Sequence, residues 1–163
     1  MERIINKITE VLESNKSKFI AKGVDPIQII DIYKGQPQNL KENECTFPAV
    51  YIDYSIDYDQ GLAYIIIHAL YNDDYETENF SPQRAEGMKY ITFLKVIKDC
   101  LKGIKLPPVF GVLKLSQDIP IESDEGNYHQ ITFKCTYIEE LNDENRYLDV
   151  EIDGEINKGE IKG

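Results

Sequence analysis

The sequence predicts a single α+β domain, in which an antiparallel or mixed sheet made from two β-hairpins has helices packed on one face. Two observations indicate this class: strand patterns occur in neighbouring pairs, and a long helical pattern separates the two pairs. The predicted element order is α-β-β-β-α-β-β. A chain of 163 residues fits one domain and can bury a core without a metal or a disulfide. We expect residues 1–140 to form this domain and residues 141–163 to be an acidic, partly disordered tail.

An amphipathic helix is predicted at residues 2–13, where apolar residues recur at helical spacing along one stripe. The stripe consists of Ile4, Ile5, Ile8, Val11 and Leu12. The polar stretch 14–23 is predicted to be a loop, and Gln28–Tyr33 a short strand. The stretch 35–44 contains Gly, Pro and Asn and is predicted to be a second loop.

The first hairpin is predicted from strands at Phe47–Ile56 and Leu62–Tyr71, joined by a turn at Asp57–Gly61. Its second strand is apolar on both faces. Such a strand is either central in the sheet or covered by a partner chain, and the sequence leaves both alternatives open.

A second helix is predicted from Ser81, as the N-cap, to about Lys102, with Pro82 at the first helical position and Gly103 as the C-cap. Its expected buried stripe comprises Met88, Ile91, Leu94, Ile97 and Leu101.

The second hairpin is predicted from strands at Val109–Asp118 and Tyr128–Glu139, with a turn at Ile119–Gly126. The last strand alternates apolar and polar residues, which is typical of a half-buried antiparallel strand.

The charge of the chain argues against two classes of partner. The net charge is -11, and a surface this acidic repels phosphate backbones and anionic membranes. We therefore expect no specific nucleic-acid binding and no membrane partner. From Glu42 to Gln83 there are nine acidic residues and no Lys or Arg, which indicates a solvated face or a surface that must not adhere to a polyanion. The three cysteines are far apart in the chain, which fits reduced thiols rather than a disulfide framework.

The motifs that carry chemistry are absent from the sequence. His68 and His129 each lie alone on a predicted strand and are expected to be packed or at an interface, because neither has zinc-site spacing. The stretch Asp57–Gly61 superficially matches a calcium loop, but the twelfth position, which needs a glutamate, is His68. There is no phosphate-binding loop, dinucleotide fingerprint or nucleophile elbow. We therefore expect no enzyme, no cofactor, and no catalytic, cofactor-binding or metal-binding residue. A small enzyme of unrecognised class would need a deep pocket with converging polar groups.

Tyrosine is unusually common, with 11 residues, and it clusters around the first hairpin. Strand packing would account for this cluster. A protein interface would also do so, because Tyr gives a large contact area at low entropy cost. The candidate interface residues are Tyr51, Tyr54, Tyr64, Ile66, His68 and Tyr71.

Four blocks of the chain carry a family resemblance. They are the first helix at Ile4–Leu12, the strand "FPAVYIDY", the long strand Leu62–Tyr71, and the helix "SPQRAEGMKYITFLKVIKDCLKGI" followed by two strands that end at Glu139. With these blocks the chain resembles the tail terminator or tail-completion (minor tail) proteins of long-tailed bacteriophages and prophages. The resemblance covers roughly residues 1–140 and is one of element order rather than of a catalytic motif. The Gln28–Tyr33 strand and the tail after Glu140 do not match it.

The resemblance implies a homo-oligomeric ring, a hexamer, that caps the tail tube and joins it to the neck. The implied partners are further copies of the chain and the tube and neck proteins. The implied location is the virion tail, or the cytoplasm of the bacterial host during assembly. Acidic loops would then line a channel through which DNA slides without adhering. The candidate channel residues are Asp57, Asp59, Asp73, Asp74, Glu76 and Glu78.

The acidity of the chain also allows a different interpretation. It could be a monomeric or dimeric protein-binding module, either an adaptor or an inhibitor that imitates nucleic acid by its charge.

Overall fold

The structure is a computed structural model that describes residues 2–38, 46–71, 81–106, 111–123 and 126–137. It has the predicted α+β class and forms one domain. The helices are α1 (Glu2–Ser14), α2 (Lys16–Ala21), α3 (Arg84–Gly87) and α4 (Lys89–Leu101), with a short 3-10 turn at Gln36–Gln38. The strands are β1 (Ile29–Ile32), β2 (Ala49–Asp57), β3 (Leu62–Tyr71), β4 (Lys114–Ile121) and β5 (Asn127–Thr136). None of the described helices is long and apolar enough to cross a membrane.

The five strands form one mixed sheet in the order β1-β2-β3-β5-β4. Strand β1 runs parallel to β2, and all other neighbours are antiparallel. The two predicted hairpins are therefore β2–β3 and β4–β5. Strand β3 lies in the middle of the sheet, which confirms the central alternative for this doubly apolar segment.

Helices cover one face of the sheet, which we call the helix-covered face. Helix α4 lies across β3 and β5 and packs against α1. Phe93 of α4 contacts Phe19 of α2 and Tyr71 of β3, with ring centroids 5.6 and 5.0 Å apart. The buried core includes Ile4, Ile8, Leu12, Val50, Ile52, Ala63, Ile65, Ile67, Leu94, Ile97, Leu101, Ile131 and Phe133. This layer is the main hydrophobic core of the domain.

Two predicted boundaries are wrong. The polar stretch 14–23 contains helix α2, because Phe19 is fully buried and anchors an otherwise polar segment. Strand β4 begins at Lys114 and continues to Ile121, so it includes residues predicted to be a turn. Gly111 has a positive φ of 37°, a conformation that breaks an extended strand before β4. Pro120 is tolerated because β4 is an edge strand.

The predicted buried stripe of the second helix is partly wrong. Met88 and Ile91 are 41% and 49% exposed. The predicted N-cap Ser81 and first helical position Pro82 are also wrong, because α3 begins at Arg84 with Gln83 as its N-cap. The Ser81 hydroxyl accepts a hydrogen bond from the Gln83 amide at 3.1 Å, and the helical segment is interrupted at Met88. Apolar residues occur on several sides of α4, so the sheet rather than the spacing selects its buried face. That face consists of Phe93, Leu94, Val96, Ile97, Cys100 and Leu101.

Replacing Phe93 by Ala should lower the free energy of unfolding by about 3 to 5 kcal/mol, because it opens a cavity between α2, α4 and β3. Ile91→Ala on the exposed side of α4 is the control and should change it by less than about 0.5 kcal/mol. Urea unfolding followed by circular dichroism measures both. Equal losses in the two variants would contradict the assigned face of α4.

Candidate functional site

The second face of the sheet is the candidate functional site, and we call it the helix-free face. No residue of the described helices belongs to the hydrophobic cluster on this side. Along β3 the face presents Leu62, Tyr64, Ile66, His68 and Leu70. The face divides into a half covered by the chain itself and an open half.

The covered half is an aromatic cluster at the end of the sheet where β1 lies. Its buried members are Ala49, Tyr51, Leu70 and Tyr128, and partly buried residues pack around them: Ile29, Tyr33, Phe47 and Ile121. Side chains of β1 and of Tyr33, which follows it, therefore cover this half of the helix-free face, as helices cover the opposite face.

His68 lies at the centre of the covered half and is only 5% exposed. Its ring stacks on Tyr33, with centroids 4.0 Å apart and planes inclined by 10°. Its Nδ1 lies 2.5 Å from the Tyr128 hydroxyl, and its Nε2 has no hydrogen-bond partner among the described residues. Burial lowers the pKa of His68 to about 4, although the nearby Asp53 carboxylate acts in the opposite direction.

The hydrogen bond between these two side chains joins a neutral imidazole to a protonated phenol. Burial raises the pKa of Tyr128 to about 12, so its hydroxyl keeps its proton, and the tautomer of His68 decides which of the two groups donates. A neutral, stacked and buried imidazole is a packing element, as the sequence predicts. It has no solvent contact through which it could act as a general base.

The open half lies beyond this cluster and combines polar and apolar side chains. We call residues that lie directly opposite one another on neighbouring strands a row, because they share a face. One row is Ser55, Tyr64, Lys134 and Lys114. The next row is Asp53, Ile66, Thr132 and Gln117. Tyr64 and Ile66 are half-buried at its centre, flanked by charged groups at both edges.

The structure separates the six predicted interface residues. Tyr64 and Ile66 lie on the open half, and they are accessible. Tyr51 and His68 share that face but are buried in the aromatic cluster. The remaining two point to the helix-covered face, where Tyr54 is 45% exposed and Tyr71 is buried against Phe93.

Sequence reasoning missed the two lysines of the open half. Lys134 lies on the polar side of the alternating β5 pattern, a signal that was present in the sequence. Its position opposite Lys114 depends on the pairing register, which a bulge between Leu115 and Gln117 shifts. Local sequence does not reveal that register.

The predicted channel residues are only partly described. Asp57 and Asp59 lie at the turn between β2 and β3, where the Asp57 carboxylate accepts a hydrogen bond from the Gln60 amide at 2.9 Å. Gly61 closes this turn with a φ of +61°, a conformation that favours glycine. The other candidates, Asp73, Asp74, Glu76 and Glu78, lie outside the described residues, as do Cys45 and the tail 141–163.

A second polar cluster joins α4 to the β4–β5 hairpin on the helix-covered face. The Tyr90 hydroxyl lies 2.6 Å from Nδ1 of His129, and Nε2 of His129 contacts a carboxylate oxygen of Asp118. The other Asp118 oxygen accepts a hydrogen bond from Lys98 at 2.5 Å. Partial burial alone would raise the pKa of Asp118, but the Lys98 hydrogen bond and the His129 charge hold it below its ordinary value.

This cluster has the connectivity of a catalytic relay but not the reactivity of one. Burial, together with the Asp118 charge, raises the pKa of Tyr90 to about 12, so its hydroxyl is a weak nucleophile at neutral pH. We interpret the cluster as a clamp that holds α4 on the hairpin.

The two cysteine thiols among the described residues are also poor nucleophiles. Cys100 and Cys135 are buried and free, and burial raises the pKa of both thiols. Within the described ranges no group of three His, Cys, Asp or Glu side chains could hold a metal ion.

Comparison with known proteins adds no assignment to this geometry. No protein-family model matches the chain, and no curated protein matches it in sequence.

The stability of the domain should fall between pH 6.5 and pH 4 because of His68. The unfolded imidazole, with its ordinary pKa of 6.5, binds a proton in this window, whereas the folded one resists it until its pKa of about 4. The contribution of His68 to the free energy of unfolding is therefore complete above pH 6.5. It decreases by about 2 to 3 kcal/mol as the pH falls towards 4.

Urea unfolding of the wild type and of His68→Leu at pH 7.5 and pH 4.5 measures this contribution. The variant lacks the titrating ring and should lose less free energy of unfolding between the two pH values. Equal losses in both proteins would contradict the neutral, buried state of His68.

Proposed function

We propose that the chain is a structural assembly protein of the phage tail-terminator type. In this role it forms a ring at the end of the tail tube, stops tail growth and joins the tube to the neck. Its chemistry is contact between proteins, without catalysis or a cofactor. The open half of the helix-free face is the surface that meets other tail components.

One observation carries this proposal. Strand β3 is the centre of the sheet, yet the helices that the structure describes cover only one of its faces. Tyr64 and Ile66 therefore present a half-exposed aromatic and aliphatic pair at the middle of a broad sheet face, with polar residues around them. A central apolar contact surrounded by a polar rim is the usual anatomy of a protein interface.

The ionisable groups give further support for a structural role. The neutral His68 serves the packing of the aromatic cluster, and Asp118 is held by Lys98 and His129. Each of these arrangements joins separate elements of the domain. A scaffold whose polar groups fix its own shape suits a protein that presents surfaces to neighbours.

The charge of the chain suits a passage for DNA. Asp57 and Asp59 lie at the tip of the β2–β3 hairpin, in a protein of net charge -11. Acidic side chains at a channel wall repel the DNA phosphates and let the duplex slide. This supports the proposal that the hairpin tip faces the channel.

The mass in solution tests the ring directly. Light scattering after size exclusion, over a range of concentrations and salt levels, should give a hexamer or a monomer that shifts towards one as the concentration rises. Negative-stain electron microscopy of the assembled fraction should show particles with a central hole. A strict monomer under all conditions, also when mixed with tail tubes, would contradict the ring and favour the acidic binding module.

Ile66→Asp should weaken binding to phage tail tubes, because it places a charge at the centre of the proposed contact. We expect at least about tenfold weaker binding, measured by co-sedimentation with the tubes. Ile91→Asp, the same change on the exposed side of α4, is the control and should bind as the wild type does. Unchanged binding by Ile66→Asp would remove the helix-free face from the proposed contact.

A further inference from the structure

The two edges of the sheet carry opposite charges on the helix-free face. At one edge Lys114 of β4 lies directly opposite Lys134 of β5, although like charges in this position repel each other. Neither lysine forms an ion pair with a described residue. In a chain with this excess of acidic residues, two unpaired lysines side by side form a distinct basic edge.

The opposite edge of the same face is acidic. Asp53 and Asp57 of β2 both lie on the helix-free face, and neither forms an ion pair with a described residue. Asp31 of β1 lies beside them and has a distant partner in Lys34, at 3.9 Å. Asp53 and Asp57, which have no ion-pair partner among the described residues, therefore lie in the rows on either side of the row that contains Lys114 and Lys134.

The two edges also match in apolar side chains, on the helix-covered face. One row there consists of Tyr54, Ile65, Phe133 and Leu115. Its inner members, Ile65 and Phe133, are buried, whereas its end members, Tyr54 and Leu115, are 45% and 41% exposed. The row thus ends in an unburied apolar side chain at each edge of the sheet.

Each edge leaves backbone without a strand partner among the described residues. Strand β1 covers β2 only from Ala49 to Ile52, so no described strand lies on the outer side of Asp53–Asp57. The amide of Tyr54 there donates to the Asp53 carboxylate at 2.7 Å rather than to a strand. The outer side of β4 is likewise open. Exposed edges of this kind are sites where another chain binds.

We infer that a second copy of this chain binds head-to-tail, with the β4 edge of one copy against the β1–β2 edge of the next. The contact brings Lys114 and Lys134 to Asp53 and Asp57 on one face, and Leu115 to Tyr54 on the other. Because the two surfaces differ, each copy keeps one free edge after binding, and repetition of the contact gives a ring when the rotation closes. The inference rests on the proposed ring and assigns the surface that forms it.

Charge exchange tests the polar half of the contact. Lys114→Glu with Lys134→Glu makes both edges acidic, and Asp53→Lys with Asp57→Lys makes both edges basic. Each double variant should assemble only at concentrations at least about tenfold above those of the wild type, since like charges then face each other. An equimolar mixture of the two should regain the wild-type mass, because both edges of each variant find an opposite charge on the other.

The control for this exchange is Lys95→Glu with Lys102→Glu, which changes the net charge equally at exposed positions of α4 and its C-terminal end. It should assemble as the wild type does. Circular dichroism shows whether each variant is folded. If the wild type assembles and the double variants assemble equally well, the proposed edge contact is wrong, whereas the proposed ring is not contradicted.

Disulfide formation tests the apolar half. Tyr54 and Leu115 are separated by β3 and β5, a distance of roughly 14 Å, so cysteines at both positions cannot bond within one chain. In a background with Cys45→Ser, Tyr54→Cys with Leu115→Cys should give a ladder of covalent oligomers after mild oxidation. Tyr54→Cys with Ile91→Cys should give none. Absence of the ladder from the first pair would overturn the edge contact. A ladder from this pair, together with a wild type that never forms rings, would support the contact and contradict the ring.

Discussion

The apolar character of β3 on both of its faces is the constraint on which the rest of the structure depends. A strand that is apolar on both faces is stabilised when a strand pairs with each of its edges and other residues cover each of its faces. Every other element of the domain contributes to this pairing or to this cover. Strands β2 and β5 pair with it along its whole length, and α4 lies across it. The aromatic cluster around His68 covers the C-terminal half of its second face. The other half of this face is left partly exposed by the described residues. A function that depends on contact with another protein can be located there.

The polar contacts of the domain follow from the same arrangement. In a sheet with helices on one face, the helices must be attached to that face. The apolar residues of the other face must also be shielded from water. The Tyr90–His129–Asp118–Lys98 cluster serves the first purpose, because it joins α4 to the β4–β5 hairpin. The stacked pair of Tyr33 and His68 serves the second, since it seals the end of the sheet that no helix reaches. Both clusters place polar groups inside the domain, where Nε2 of His129 contacts Asp118 and Nε2 of His68 has no hydrogen-bond partner among the described residues.

The sequence was informative where one local pattern determined the outcome. Helix α1 and the long strands followed from periodicity, and the two apolar faces of β3 indicated either a central strand or a covering partner chain, of which the structure shows the central position. The buried face of α4 could not be predicted in the same way, because several sides of that helix are apolar and only contact with Tyr71 and Phe19 selects one. The contact between His68 and Tyr128 joins residues 60 positions apart, so no local pattern contains it. The opposition of Lys114 and Lys134 likewise depends on the register across a bulge.

The short length of β1 has a consequence for shape. Because β1 accompanies β2 over only the first part of its course, the sheet is five strands wide at one end and four at the other. Its outline is a wedge rather than a rectangle. Identical wedge-shaped subunits placed side by side are each rotated relative to the next one, about an axis on their narrow side. In an assembly built along these edges, the number of subunits that close a circle would then be encoded partly in how far one four-residue strand extends.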